Sequence, residues 1–170
     1  MTHRQRVGTL VLLAVLGLRC GLPRCAEAVA CQPIEAHVGG RIVACAESPI
    51  GFCAPLAIAT GMLQGTAAFT FVSPATGLLP MESSITLAYA GPLVVHTNHG
   101  TLSLSVVGVL DQRHAMFTET QRVTAGTGRF AGATGTLVMA GHLTGSTPDD
   151  DLVIEGSLTG DLCLDIPVEQ

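Results

Sequence analysis

The sequence lacks lysine and tryptophan altogether, and it contains little charge and few aromatic residues. Aromatic residues make up 4% and charged residues 12% of the 170 positions. Without lysine the chain has no amine side chain for a Schiff base and no Walker-type phosphate loop. The motifs Ser-x-x-Lys and Gly-x-Ser-x-Gly are missing as well. These absences leave few routes to covalent catalysis, and they predict an interior of aliphatic and small side chains.

Residues 1–30 have the features of a secretory signal peptide. Arg4 and Arg6 precede an apolar run from Val7 to Leu18, and the segment ends in Ala28-Val29-Ala30. A positive start, a short apolar run and a small-residue site are typical of such peptides, and the run is too short to span a bilayer. We therefore expect a secreted or periplasmic protein without a transmembrane segment. A lipoprotein with its lipid on Cys31 is the alternative.

Removal of the signal peptide leaves an acidic domain. Four of the eight arginines lie in residues 1–30 with one acid, Glu27, so four arginines and twelve acids remain. The net charge is then about −8 with the histidines neutral. Such a charge repels phosphate backbones and anionic membranes. We therefore exclude nucleic acid as a partner.

Segments of alternating apolar and polar residues recur along the mature chain and predict eight β-strands. Leu102, Leu104 and Val106, for example, alternate with polar residues, and no segment has a convincing helical period. The predicted strands are Leu56–Gln64, Thr66–Ser73, Ser84–Ala90, Leu93–Thr97, Thr101–Leu110, Ala115–Thr124, Thr134–Leu143 and Leu152–Cys163. Residues 31–55 are then an N-terminal segment held by cysteines, 56–163 the β domain, and 164–170 a C-terminal tail.

Recurring glycines favour a closed barrel over an open two-sheet sandwich, which is the alternative. The pattern Gly-x-Leu-x-Gly occurs near three strand ends, at residues 61–65, 141–145 and 156–160. Glycine inside a strand permits the coiling that closes a barrel, and pairing of the first and last strands removes exposed edges. His99-Gly100 predicts a two-residue turn that places Val95 opposite Leu104.

A glycine-rich decapeptide, Gly126 to Gly135, is the sharpest motif of the chain. Its sequence, GTGRFAGATG, runs directly into the strand-like Thr136-Leu137-Val138-Met139. It does not fit the dinucleotide fingerprint, because the third glycine comes one residue late and no helix pattern follows. It therefore predicts a link between two strands.

With the strands around it, the decapeptide resembles the allene oxide cyclase and dirigent barrel superfamily, in particular its uncharacterised secreted bacterial members. The resemblance covers about Cys53 to Cys163. It implies an all-β fold, an eight-stranded antiparallel up-and-down barrel of calycin-like shape. It also implies a homo-oligomer, for which outer-face residues such as Val107 and Val109 are candidates. It carries over no catalytic residue.

Four cysteines remain in the mature chain: Cys31, Cys45, Cys53 and Cys163. An even number in an oxidising compartment predicts two disulfides, with three possible pairings. If the first barrel strand starts after Cys53 and the last ends at Cys163, barrel closure places those two side by side. We therefore expect Cys53–Cys163 and Cys31–Cys45. A zinc site is the less favoured reading, because no Cys-x-x-Cys pair is present.

An eight-stranded barrel is either filled by its own side chains or just wide enough for one small ligand. The large side chains that we expect to contact a ligand are Phe69, Phe71, Tyr89, Met116, Phe130 and Met139. The alternative is that they form only core. For Phe130 the alternative is that its side chain is a plug that anchors the glycine decapeptide to the core.

Glu119 and Tyr89 are weak candidates for catalysis. Glu119 is the best isolated acid on a predicted strand, and Tyr89 is the only phenol. If Glu119 faces inward, burial raises its pKa and suits it to general acid or base work. His96 and His99 predict no metal site, because they point to opposite faces of a strand. No cofactor is expected.

Two functions follow. The first is a secreted binding module for a small hydrophobic ligand or a protein partner. The second, which the resemblance implies, is a cofactor-free cyclase or isomerase that holds a hydrophobic substrate in one folded shape. An inward Glu119 or Tyr89 beside an open cavity favours the enzyme. A purely aliphatic cavity favours the binder, and a barrel without a cavity favours a structural role.

Overall fold

A computed structural model describes residues 28–72, 86–145 and 152–166. These residues form a closed barrel of eight strands, each paired antiparallel with its neighbours in chain order and the last paired with the first. The strands are β1 (Ala28–Ala44), β2 (Phe52–Ile58), β3 (Gly65–Thr70), β4 (Thr86–Thr97), β5 (Gly100–Asp111), β6 (Met116–Gly126), β7 (Thr134–Thr144) and β8 (Leu152–Ile166). The expected fold class is confirmed.

Two of the predicted strand assignments are wrong. The barrel begins with β1, which covers the last three residues of the predicted signal peptide and most of the segment predicted to precede the barrel. This strand was not predicted because Pro33 and Gly39-Gly40 interrupt the alternation there. β4 is one continuous strand where two were predicted, since Gly91-Pro92 stays paired with β5. One strand missed and one divided in two leave the count of eight unchanged. The first three residues of the predicted C-terminal tail belong to β8.

The predicted signal peptide lies almost wholly outside the described residues, which begin at Ala28, and it stays a prediction. Over the three described ranges, no helix is both long enough and apolar enough to cross a membrane.

Alternation places one face of every strand inside the barrel. Leu102, Leu104 and Val106 of β5 are buried, as are Leu158 and Leu162 of β8. Successive side chains on a strand point to opposite faces, so each strand supplies every second residue to the core. The alternation predicted from the sequence for these two strands is confirmed.

The turn between β4 and β5 lies one residue earlier than predicted. Thr97 pairs with Gly100, which leaves Asn98 and His99 as the loop and places Val95 opposite Leu102 rather than Leu104. The hydroxyl of Thr97 donates to the carbonyl of Gly100 at 3.0 Å and accepts from the backbone N–H of His99 at 3.0 Å. Moving the turn by one residue shifts the strand pairing by two residues, so every side chain stays on the same face of the sheet.

The glycine-rich decapeptide links β6 to β7, as predicted, and closes one end of the barrel. It contains a 3-10 helix, Gly128–Phe130, whose Phe130 is fully buried. The backbone N–H of Arg129 donates to the carbonyl of His99 at 2.8 Å and thereby fastens the link to the neighbouring hairpin. Gly128 has a φ of +59°, and a Cβ there would lie 2.3 Å from the His99 carbonyl oxygen, so only glycine fits. Phe130 is therefore a plug rather than a lid.

The disulfides are Cys31–Cys163 and Cys45–Cys53, so both predicted pairings are wrong. The cause is the missed first strand: β1 pairs with β8, and this register places Cys31 directly opposite Cys163. Cys45 follows β1 and meets Cys53 at the start of β2. With its sulfur bonded to Cys163, Cys31 has no thiol for a lipid, which argues against the lipoprotein alternative.

Candidate functional site

One end of the barrel holds an open cavity of about 830 Å³, and we call it the open end. All eight strands contribute to its wall, which is mainly apolar and includes Leu56, Phe69, Phe117, Met139 and Ile154. A volume of roughly 300–1,000 Å³ is the usual size of a site for one small molecule. The opposite end, which we call the filled end, is packed with the fully buried side chains of Leu63, Leu102, Phe130, Leu137 and Leu162.

Glycines on the inward face explain why side chains do not fill the open end of the barrel. The ring of Tyr89 lies across Gly108, where a Cβ would come within 2.4 Å of the Tyr89 Cζ. The ring of Phe117 lies in the same way against Gly141, where a Cβ would come within 2.9 Å of the Phe117 Cζ. Because these rings lie along the neighbouring strands, they cover the wall instead of crossing the lumen.

Three aromatic rings support each other along the wall formed by β3 and β4. The ring centroids of Phe69 and Phe71 lie 4.5 Å apart, and those of Phe71 and Tyr89 lie 5.6 Å apart. Phe69 and Tyr89 pack edge to face at 6.0 Å. Such tilted and edge-on arrangements are the favourable ones for aromatic pairs. They hold the phenol of Tyr89 in a defined orientation toward β6.

A small polar group sits at the cavity wall and consists of Tyr89, Glu119 and Gln121. The hydroxyl of Tyr89 donates to Glu119 Oε2 at 2.8 Å, and Nε2 of Gln121 donates to Glu119 Oε1 at 2.6 Å. The strand register makes this contact possible, because Tyr89 pairs with Gly108 and Gly108 pairs with Glu119. The absent side chain at Gly108 lets the phenol reach across β5.

The surroundings of this polar group change the acidity of both titratable members. Burial raises the pKa of the Glu119 carboxyl above its usual range, while hydrogen bonds from Gln121 and Tyr89 act in the opposite direction. Burial also raises the pKa of Tyr89, and the negative charge of Glu119 adds to that shift. Tyr89 is therefore a neutral hydrogen-bond donor, and Glu119 takes up a proton at a higher pH than an exposed glutamate does.

Gln121 closes the floor between the cavity and the filled end. Its side chain is 1% exposed, and within the described part of the chain its Oε1 has no hydrogen-bond partner. The small void beside it measures about 10 Å³, at the lower limit for one water molecule. Sequence reasoning missed Gln121, although its position two residues after Glu119 on the same strand gave the signal.

The structure brings four of the six predicted ligand-contacting residues to the cavity wall: Phe69, Phe71, Tyr89 and Met139. It does not bring Met116 there, because Met116 and Phe117 are adjacent on β6 and only Phe117 faces inward, which leaves Met116 60% exposed. Phe130 is excluded because it lies in the filled end. Both weak catalytic candidates, Glu119 and Tyr89, line the cavity.

The histidines considered as metal ligands lie far from this wall. His96 and His99 are exposed, near the hairpin that supports Phe130. Among the residues for which a placement is given, the cluster of possible metal ligands is Cys45, Glu47 and Cys53. Two of its three members are joined in a disulfide, so this cluster offers no ligand set.

Comparisons with protein-family models and with curated proteins find no match to this chain. The function of the chain is therefore inferred from the site itself. The site combines an open, mainly apolar cavity with one carboxyl that accepts a hydrogen bond from a phenol. Such a wall can bind an apolar molecule, and its carboxyl can exchange a proton with that molecule.

Proposed function

We propose that this chain is an exported β-barrel that binds one small hydrophobic molecule in its open end. The observation that carries the proposal is the cavity of about 830 Å³ with its mainly apolar wall. Burial of apolar ligand surface contributes roughly 25 cal/mol per Å². The ligand therefore gains most of its binding free energy from the aliphatic and aromatic wall.

Export to an oxidising compartment is part of this proposal. The two disulfides support it, because such bonds form and persist outside the reducing cytosol. The signal-peptide pattern of residues 1–30 supports it independently. Assembly into a homo-oligomer stays a prediction, for which the outward side chain of Val107, 43% exposed, is a candidate contact.

Fluorescence of a neutral apolar dye, N-phenyl-1-naphthylamine, tests the binding proposal. Ala54 lines the cavity and Ala57 lies exposed on the outer face of the same strand, β2. We expect the dye to bind the disulfide-bonded protein, Ala54→Phe to weaken that binding by taking up part of the cavity, and Ala57→Phe to leave it intact. Equal binding to both variants, or no binding to the unaltered protein, would overturn the proposal.

A second candidate function is that of a cofactor-free cyclase or isomerase. The observation in its favour is that Glu119 and Tyr89 both face an open cavity, the arrangement expected of the enzyme rather than of a purely aliphatic binder. In this reading the wall holds the substrate in one shape. Glu119 accepts or delivers a proton, and Tyr89 holds its carboxyl in place.

Chiral chromatography separates this second function from binding alone. Cyclisation of a long-chain allene oxide, the substrate class in the name of the superfamily that the sequence resembles, is followed with and without the protein. An enzyme gives one enantiomer in excess, and we expect Glu119→Gln to abolish the excess while dye binding persists. Products with equal amounts of both enantiomers would count against the enzyme and leave the binding proposal standing.

A further inference from the structure

The chemistry of the cavity wall also indicates which ligands it accepts, an inference that rests on the proposed binding function. Of the described residues that line the cavity, only three carry polar side chains: Tyr89, Gln112 and Glu119. None of those lining residues is arginine or histidine. The described part of the wall therefore offers no cation to a ligand, and its one carboxyl, that of Glu119, is negatively charged when ionised.

Glu119 stands ready to accept a further hydrogen bond. A carboxylate has about four lone-pair positions, and Tyr89 and Gln121 occupy one on each oxygen. The remaining lone-pair positions can accept hydrogen bonds from groups that carry a hydrogen. A ligand hydroxyl supplies such a hydrogen, whereas a ligand carboxylate at high pH supplies none.

We propose that the cavity binds an uncharged apolar alcohol with its hydroxyl on Glu119, and that it discriminates against the carboxylate of the same chain length. A carboxylate placed beside Glu119 gives up its water without gaining a cation, which is costly in an apolar site. The opposite orientation, with the carboxylate outward at the mouth, places the methyl end of the chain against Glu119. That contact removes water from the Glu119 carboxyl and gives no hydrogen bond in return.

Competition against the bound dye tests this selectivity with dodecan-1-ol and dodecanoate at about pH 8. We expect the alcohol to displace the dye at least about tenfold more effectively, because the alcohol donates a hydrogen bond to a charged acceptor and the carboxylate has no hydrogen to donate. Glu119→Gln lowers this ratio toward one, since it weakens the acceptor and removes the like charge. Glu155→Gln, which removes a carboxylate from the exposed outer face of β8, leaves the ratio unchanged.

The outcomes separate this inference from the proposed function. If dodecanoate displaces the dye as well as dodecan-1-ol does, the ligand binds with its head outward and the selectivity proposal is wrong, while the binding function stands. A ratio that Glu119→Gln leaves unaltered also contradicts the assignment of selectivity to Glu119. If the unaltered protein binds neither the dye nor either amphiphile, the binding function itself fails and this inference fails with it.

Discussion

The two ends of the barrel are built from the same eight strands, yet one end is solid and the other is hollow. In the filled end, the void lined by Leu63, Leu137 and their neighbours measures only about 10 Å³, and Phe130 is fully buried. In the open end, the same alternation leaves about 830 Å³. Alternation decides which side chains face inward, but the sizes of those side chains, and the glycines among them, decide whether the space inside is filled.

The two ends of the barrel have different roles in stability and binding. Close packing of large side chains supplies most of the stability that a core provides, so the filled end is expected to hold the fold together. The open end gives up part of that packing and gains room for a ligand. Each end also carries one disulfide: Cys31–Cys163 lies beside the glycine-rich link, and Cys45–Cys53 lies at the rim of the cavity.

The largest expected difference between the ends concerns these disulfides. Loss of Cys31–Cys163, which spans 132 residues, should lower the free energy of unfolding by about 5 kcal/mol in the chain-entropy model. Loss of Cys45–Cys53, which spans 8, should lower it by about 2.5 kcal/mol. Urea unfolding of the two double Cys→Ser variants measures both. Equal losses would show that the two ends do not differ in this way.

Removal of one large aromatic side chain from each end gives the next largest contrast. Phe130→Ala in the filled end should cost about 3–5 kcal/mol, the range for a fully buried phenylalanine. Phe71→Ala at the open end should cost about 1–2 kcal/mol, because this ring is only partly buried. Denaturant midpoints of the two variants provide the measurement. A larger cost at Phe71 would reverse the assignment of stability to the filled end.

A single methyl group at Gly108 should disturb the open end. Gly108→Ala places a Cβ 2.4 Å from the Tyr89 ring, so the ring moves and its hydrogen bond to Glu119 breaks, at a cost of about 1–3 kcal/mol. We expect weaker dye binding as well.

Gly39→Ala is the matched control for this change, because a Cβ there meets only one atom, at 3.9 Å. It should leave both stability and dye binding nearly unchanged. If Gly108→Ala behaves like Gly39→Ala in both measurements, the row of Tyr89, Gly108 and Glu119 does not shape the cavity.

The smallest expected effect is the pH dependence that Glu119 confers. Burial raises the pKa of Glu119, so the folded chain keeps its proton to a higher pH than the unfolded chain does. The stabilising contribution is full below the ordinary value of 4.5 and is lost as the pH rises through the raised folded value. Tyr89, the titratable side chain that faces Glu119 across β5, stays neutral throughout.

Unfolding free energies of the unaltered protein and of Glu119→Gln, measured from about pH 4 to about pH 8, isolate this contribution. We expect the unaltered protein to lose stability relative to the variant as the pH rises. Glu155→Gln, which removes a carboxylate from the outer face of β8, serves as the control. A difference that grows in the opposite direction would mean that hydrogen bonds from Tyr89 and Gln121 outweigh burial.

The sequence was sufficient for the fold class because alternation and glycine placement are local features of the chain. β1 was not predicted because Pro33 and the pair Gly39-Gly40 are typical of loops. Both predicted disulfide pairings are wrong as a consequence of that one omission. The turn at Asn98-His99 depends on a side-chain hydrogen bond of Thr97, which spacing does not reveal. Errors in strand boundaries thus propagate to every inference that depends on pairing.

The candidate site was predicted only in its parts. Glu119 and Tyr89 stood out as the best isolated acid and the single phenol, but their contact requires the register that aligns both with Gly108. That register involves three strands, and the two partners are separated by 30 positions in the sequence. Met116 was misplaced because two adjacent apolar residues cannot both face inward, and the sequence does not say which one does.

The seam between β8 and β1 has a further consequence. In the described barrel, β8 and β1 are the one pair of adjacent strands that do not follow each other in the chain. The disulfide Cys31–Cys163 joins these two strands covalently. The bond therefore ties the first and last strands together near the filled end, so that the seam cannot part there while the disulfide is intact. The opposite rim, where the cavity is open, is the route that the proposed ligand takes. Reduction of that one bond should allow the seam to part at the filled end and add a second route to the lumen.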